Sequence, residues 1–266
     1  METFKITIVN ETTTDGRTYN ILAGPPRITG GADPPVRPVT WHRTFPPLPP
    51  GSQAELVFTD ELFAFAGTAD SSGGSSAALR PGDGVAIRSF KPVRWRSRVN
   101  NCSQFVVGTD LSLREYASGA ARGTFQMTAD ASHPAPNNRV VGLARIHEGA
   151  VAGPVPVAAV ELKPGVTYTF SPNLALWVRG ANSGVGQGEG VGEGEVAAAA
   201  PAPGARDAAL VLFEGAFNAA VVRERNNGTL SVEYRVEEPW NCDVQLAALG
   251  SRGGPLADSG NWQLKT

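Results

Sequence analysis

Apolar and polar residues alternate in short runs along this chain, and each run ends at a cluster of Gly, Pro or Asn. Phe4, Ile6 and Ile8 alternate with Lys5, Thr7 and Val9 as far as Asn10, the two-residue period of a strand with one buried face. Residues 18–22 resume after a turn at Asp15-Gly16, which predicts an opening hairpin. Residues 55–58 and 62–66 alternate little and suit a buried pair of strands. Residues 85–90, 105–107, 111–116, 123–128 and 140–147 read as strands, and residues 150–157 as a Pro-punctuated connector.

Lys163-Pro164-Gly165 is a turn signal, because Pro presets φ and Gly tolerates positive φ. Beyond it, Val166, Tyr168 and Phe170 alternate with Thr167, Thr169 and Ser171. After Pro172-Asn173, Leu174, Leu176 and Val178 share one face and Trp177 takes the other, either under a further layer or exposed. Residues 209–213, 219–224, 230–236, 244–249 and 261–264 predict the last strands. Asn226-Asn227-Gly228 is the strongest hairpin turn among them. Helix signals are nearly absent, and no fixed-period repeat suggests a propeller or solenoid.

The expected fold is all-β: an antiparallel β-sandwich or jelly-roll-like body, a single domain over residues 1–266. A Pro-rich stretch at 25–50 must wrap the surface or lie on sheet edges, since Pro cannot donate to a ladder. The Gly-Glu and Ala-Pro tract at 181–206 buries nothing and predicts a long surface loop.

Composition narrows the partners. The hydrophobic fraction of 41% supports a core, and a net charge of −2 gives no overall footprint for nucleic acid. No apolar run approaches the ~18 residues of a membrane span. The first residues lack signal-peptide architecture, so a cytoplasmic protein is expected, with Cys102 and Cys242 as free thiols. A homo-oligomer is compatible with all of this.

No phosphate loop, nucleophile elbow, His-Glu-x-x-His or Cys-x-x-Cys appears, so no cofactor and no metal is expected. The isolated histidines His42, His133 and His147 lack metal-ligand spacing. Three places combine aromatic and polar groups. Residues 88–98 carry five cations around Phe90 and Trp95. Arg94 or Arg96 could hold an oxyanion beside Trp95, or the stretch could be a solvated strand face. Trp41-His42-Arg43 sets a titratable base beside an aromatic wall, and an exposed edge histidine is the plainer reading. Trp177 lies where a strand meets the long loop, a place for a binding residue or a core indole. Trp240 shares that ambiguity, and Tyr116 adds an acid-base group without distinguishing spacing.

The order of Phe4-Lys5-Ile6-Thr7-Ile8-Val9-Asn10, Tyr168-Thr169-Phe170-Ser171-Pro172, Leu176-Trp177 and Gln187-Gly188-Glu189 resembles the rhizosphere-expressed rhiA-like family of all-β bacterial and fungal proteins. The resemblance spans residues 3–191, departs in the Pro-rich and Ala-Gly-Glu tracts, and leaves the C-terminal strands uncovered. It implies a β-sandwich and carries over no activity and no catalytic residue.

The functional expectation is a hydrophobic, oxygenated small-molecule ligand and a cofactor-independent step on it, such as cyclisation, dehydration or cycloaddition in secondary metabolism. His42 and Arg96 are the expected catalytic pair, with Trp41, Arg94, Trp95, Tyr116, Trp177 and Trp240 around the substrate. The alternative is a lectin-like carbohydrate-binding module without catalysis.

Overall fold

The computed structural model describes residues 2–24, 26–30, 36–44, 46–70, 79, 83–96, 99–134, 138–148, 153–172, 175–181, 194, 205–213 and 216–237. These contain eighteen strands, numbered along the chain, and no helix among the described residues. Sheet I has the order β18 (Leu230–Arg235), β17 (Ala219–Glu224), β1 (Thr3–Asn10), β6 (Gln53–Thr59). Sheet II runs β16 (Ala208–Val211), β15 (Leu176–Ala181), β2 (Thr18–Ala23), β5 (Thr40–Arg43). In sheet III the order is β10 (Leu113–Ala120), β9 (Cys102–Val107), β11 (Phe125–Ala129), β14 (Thr167–Ser171), β3 (Arg27–Thr29). Sheet IV comprises β4 (Arg37–Pro38), β13 (Val155–Glu161), β12 (Arg139–Arg145), β7 (Phe63–Asp70), β8 (Gly84–Pro92). All pairings are antiparallel except β1 with β17 and β9 with β11.

Two long ribbons run from one pair of sheets into the other. Ala23 pairs with Leu176 in sheet II, and Arg27 with Ser171 in sheet III. Between them the Gly24 N–H still donates to the Ala175 carbonyl at 2.7 Å. Likewise Phe63 pairs with Ala144 in sheet IV, while Phe58 of sheet I bridges His147 just beyond β12. Sheets II and III are thus joined through one ribbon, and sheets I and IV through the other. Pro26 and Pro172 flank the break in the first, where a missing donor does not interrupt a ladder.

The inward rows of all four sheets make one continuous apolar cluster, from Ile6, Ile8, Ile21 and Val178 to Phe105, Phe125, Val141 and Phe170. Phe125 and Phe170 stack face to face at 4.7 Å. Strands β13, β12 and β7 of sheet IV are buried on both faces. The sheet's other side packs Val39, Phe63, Phe65, Val140 and Ala159 against Leu79. This explains why residues 62–66 alternate so little.

Three local readings change. The opening strands form no hairpin: β1 joins sheet I and β2 joins sheet II. The buried Asn10 side chain shapes the arch between them by donating to the Asp15 and Leu48 carbonyls at 3.0 and 2.8 Å. Strands β6 and β7 do not pair with each other but continue from sheet I into sheet IV. The expected connector at 150–157 contains the start of β13, whose Val157 to Val160 are fully buried. The Asn227-Gly228 turn does form the β17–β18 hairpin, with Gly228 at φ 73°. The strands expected at 244–249 and 261–264 lie outside the described residues.

Within 25–50, β3, β4 and β5 each take a sheet edge. From the expected loop at 181–206, Ala181 closes β15. Gly194 accepts from the Val85 N–H at 2.9 Å and donates to the Thr40 carbonyl at 2.8 Å, tying β8 to β5.

Tyr168 fastens the corner before β14. Its hydroxyl accepts from the Lys163 N–H at 2.7 Å and donates to the Glu161 carbonyl at 2.8 Å. Burial raises its pKa, so the hydroxyl keeps the proton that it donates. Tyr168→Phe leaves a backbone donor and acceptor without their partner, and is expected to cost about 1–2 kcal/mol. A shift of the urea midpoint with an unchanged slope checks this.

Candidate functional site

The site grows from edge strand β5. Ile21 pairs with His42 and Leu22 with Thr40, so Trp41 is the extra residue of a β-bulge. A regular strand would send Trp41 and His42 to opposite faces. The bulge turns both inward, and they are 0% and 3% exposed.

His147 comes from the second ribbon. Its bridge to Phe58 and the Glu148 N–H bond to the Val57 carbonyl (2.9 Å) hold it beside sheet I. The ring is buried, and Nδ1–H donates to the Glu148 carbonyl at 3.0 Å, which puts the lone pair of the neutral ring on Nε2. The His42 and His147 rings meet at 4.8 Å and 68°, and Trp41 meets His147 at 5.6 Å and 77°. Phe58 closes the other side, edge-on to Trp41 at 5.0 Å.

Arg145 ends the apolar run of β12 and is completely buried, its guanidinium carbon 5.8 Å from the Trp41 ring centroid. Burial first, then the nearby Arg96 charge, pulls its pKa down to about 10, while Asp60 opposes the fall. Arg145 therefore remains a cation at neutral pH. Asp60 accepts from Arg96 Nη1 at 2.9 Å, and the Arg96 guanidinium stacks 4.7 Å over Trp95.

The Trp41 Nε1–H is buried and has no hydrogen-bond partner among the described residues. An indole nitrogen only donates, and leaving such a donor unmet costs about 1–3 kcal/mol. The junction thus presents a donor without an acceptor, a buried cation and two imidazoles within one cluster. Among the described residues, no group of three or more His, Cys, Asp or Glu could hold a metal ion.

The chain matches no protein-family model, no curated protein and no solved structure. No helix of the described residues is long and apolar enough to cross a membrane.

The residues singled out from the sequence separate into groups. Trp41 and His42 lie in the cluster, and Arg96 with Trp95 adjoins it through Asp60 and Arg145. His42 is buried, so the exposed-edge reading does not hold. Arg94 is exposed and bonds Glu115 at 3.0 Å, and Tyr116 is the exposed bulge residue of β10. Trp177 lies on the outward face of sheet II, packed with Leu22 and Ala208 under Ala205 and Leu210. Trp240 and Cys242 lie outside the described residues. Cys102 is a buried free thiol whose Sγ–H donates to the Trp95 carbonyl at 3.3 Å.

His147, Arg145 and Asp60 were not legible as site residues. Arg145 did leave a signal, since a cation closes the otherwise apolar Val-Val-Gly-Leu-Ala run. His133 belongs elsewhere. Its Nε2–H donates to the Val107 carbonyl and its Nδ1 accepts from Arg139, both near 3 Å, so it locks a loop to β9.

Proposed function

We propose that the junction binds an oxygen atom of a small, largely apolar molecule and that His42 and His147 move protons on it without a cofactor. The observation behind this is the buried, unmet Trp41 Nε1–H beside the Arg145 cation. The indole N–H requires an acceptor and the neighbouring cation favours a polarised or negative oxygen, so the ligand class is a ketone, enolate or phenolate. The donor pair stabilises negative charge developing on that oxygen, and an imidazole pair supplies one group to take a proton and one to give it.

A dehydration fits these groups. In a β-hydroxy carbonyl compound, the proton next to the carbonyl passes to one imidazole while the enolate oxygen is held by Trp41 and Arg145. The electron pair then forms the carbon–carbon double bond as the carbon–oxygen bond breaks. The departing hydroxyl takes a proton from the other, protonated imidazole and leaves as water. The same donors would favour a cyclisation that polarises a carbonyl. A cytosolic setting is part of the proposal, and the free Cys102 thiol suits it.

A second reading has its own observation. Half-exposed Trp95 with stacked Arg96, and exposed Tyr116 next to the Arg94–Glu115 pair, make an open aromatic and polar surface suited to a sugar.

Titration with 4-nitrophenol and acetylacetone, followed by indole ¹H–¹⁵N spectra, tests the first reading. The Trp41 cross-peak is expected to move, and His42→Ala or His147→Ala to weaken binding about 10-fold, the loss of one hydrogen bond. An unmoved Trp41 resonance with both probes overturns it. Binding on a glycan array that is lost in Trp95→Ala and kept in Trp41→Phe favours the lectin-like alternative.

A further inference from the structure

Strand β18 closes sheet I on one side, and no strand among the described residues pairs with its outer edge. The hairpin turn fixes which backbone groups face out. The Arg225 N–H donates to the Thr229 carbonyl at 3.0 Å, so Thr229 faces β17, and by alternation so do Ser231, Glu233 and Arg235. Val232, Tyr234 and Val236 therefore turn their N–H and C=O groups away from the sheet. Two contacts beyond the ladder agree with this parity. The Leu230 N–H, on the outer side, donates to the Arg206 carbonyl at 3.0 Å, and the Glu237 N–H, on the inner side, donates to Asn218 Oδ1 at 2.8 Å.

The side chains along this edge complement themselves. In Val232-Glu233-Tyr234-Arg235-Val236, an antiparallel copy centred on Tyr234 sets Val232 against Val236 and Glu233 against Arg235. The backbone agrees with that register, because the outward groups of residues 232, 234 and 236 then meet one another. Glu233 and Arg235 fall in a non-hydrogen-bonded pair, where facing side chains come closest. Centring on Glu233 or Arg235 would oppose like charges and inward-turned backbone. Centring on Val232 would need Leu230, whose N–H Arg206 already holds. The surface is accessible. Glu233 and Arg235 bond each other at 3.0 Å within one chain and remain 54% and 45% exposed, and Val236 is 65% exposed.

We propose that a second copy of this chain pairs with the first along β18, antiparallel and centred on Tyr234, so that sheet I continues across a two-fold axis. Opposite charges meet twice, Glu233 with the partner's Arg235 and Arg235 with the partner's Glu233. One strand from each copy is a small contact, so the dimer exchanges with monomer and depends on concentration.

Sedimentation equilibrium of the full chain through the micromolar range tests this, and a monomer–dimer equilibrium is expected. Val236→Pro removes an outward N–H that β17 does not use, at an exposed position just past β18, so the fold is kept. Two symmetry-related hydrogen bonds are lost, and the dimer should weaken about 10-fold or more. Glu233→Arg sets cations against the partner's Arg235 and should weaken it about 10-fold as well. Adding Arg235→Glu to that variant restores complementarity and should restore the dimer, a rescue that a merely structural role for either residue would not give. Circular dichroism checks folding throughout. A chain that stays monomeric at every concentration overturns the proposal. If the Val232 and Tyr234 amides of that monomer exchange slowly, residues 238–266 of the same chain hold the edge instead. A dimer unchanged by Val236→Pro, or not rescued by the charge exchange, overturns it too.

Discussion

Arg145→Met is expected to abolish ligand binding at the junction and to lower the urea midpoint of a protein that still folds. Arg145 is fully buried, and burial already pulls its pKa down to about 10. Losing one charge from a buried polar cluster costs about 3–5 kcal/mol where it strands a partner, so the urea midpoint is expected to fall. Methionine is unbranched and fills irregular space against Trp41 and its neighbours. Asp60 loses the nearby Arg145 charge but keeps its 2.9 Å bond from Arg96 Nη1. The oxygen of a bound ketone or phenolate loses its charged partner. Binding should weaken on the order of 100-fold, the upper range for a hydrogen bond to a charged group. Urea unfolding and the 4-nitrophenol titration decide the matter together. A variant that binds the probe unchanged, whatever its urea midpoint, makes Arg145 a structural cation and removes the basis of the proposed function.

Gly142→Ala is expected to be strongly destabilising. Gly142 sits in β12, the central strand of sheet IV and buried on both faces, and pairs with Phe65 on one side and Ala159 on the other. A Cβ there would fall 2.0 Å from the Ala158 carbonyl oxygen and 2.6 Å from the Phe65 ring. The ring belongs to a packed layer and the carbonyl to a neighbouring strand, so neither moves cheaply. Overpacking of this kind costs about 3 kcal/mol, at the severe end of its range. The loss should appear as a large fall in urea midpoint, while Gly123→Ala, whose Cβ would meet nothing within 4 Å, measures only the strain of φ 81°. A Gly142→Ala protein as stable as the native one would contradict the packing described for sheet IV.

Legibility in the sequence followed the range of the interaction. The alternation of Phe4, Ile6 and Ile8 marks β1 as a strand whatever lies beside it, and the Asn227-Gly228 turn joins two strands close in the chain. The partner of β1 was not readable, because it is β17, more than 200 residues away, and its pattern would suit any neighbour. For the same reason the turn at Asp15-Gly16 looked like a hairpin. Nothing local distinguishes a turn within one sheet from an arch between two. At the site, Trp41-His42 drew attention by residue type, yet strict alternation would separate the two rings. Only the bulge against Leu22 and Ile21 puts them together. Arg145 and His147 lie about 100 positions further on and reach the cluster through pairing with β7 and Phe58.

An all-β architecture was therefore settled by the chain's own pattern, since periodicity, turn residues and scarce helix signals are properties of neighbours along the backbone. Which strands share a sheet, which face Trp177 lies under, and which polar groups meet were settled only by tertiary structure. Those outcomes depend on ladder register and on the competition for buried area among segments far apart in sequence. A one-residue bulge, invisible in composition, is what turned an ordinary edge strand into the wall of a candidate site.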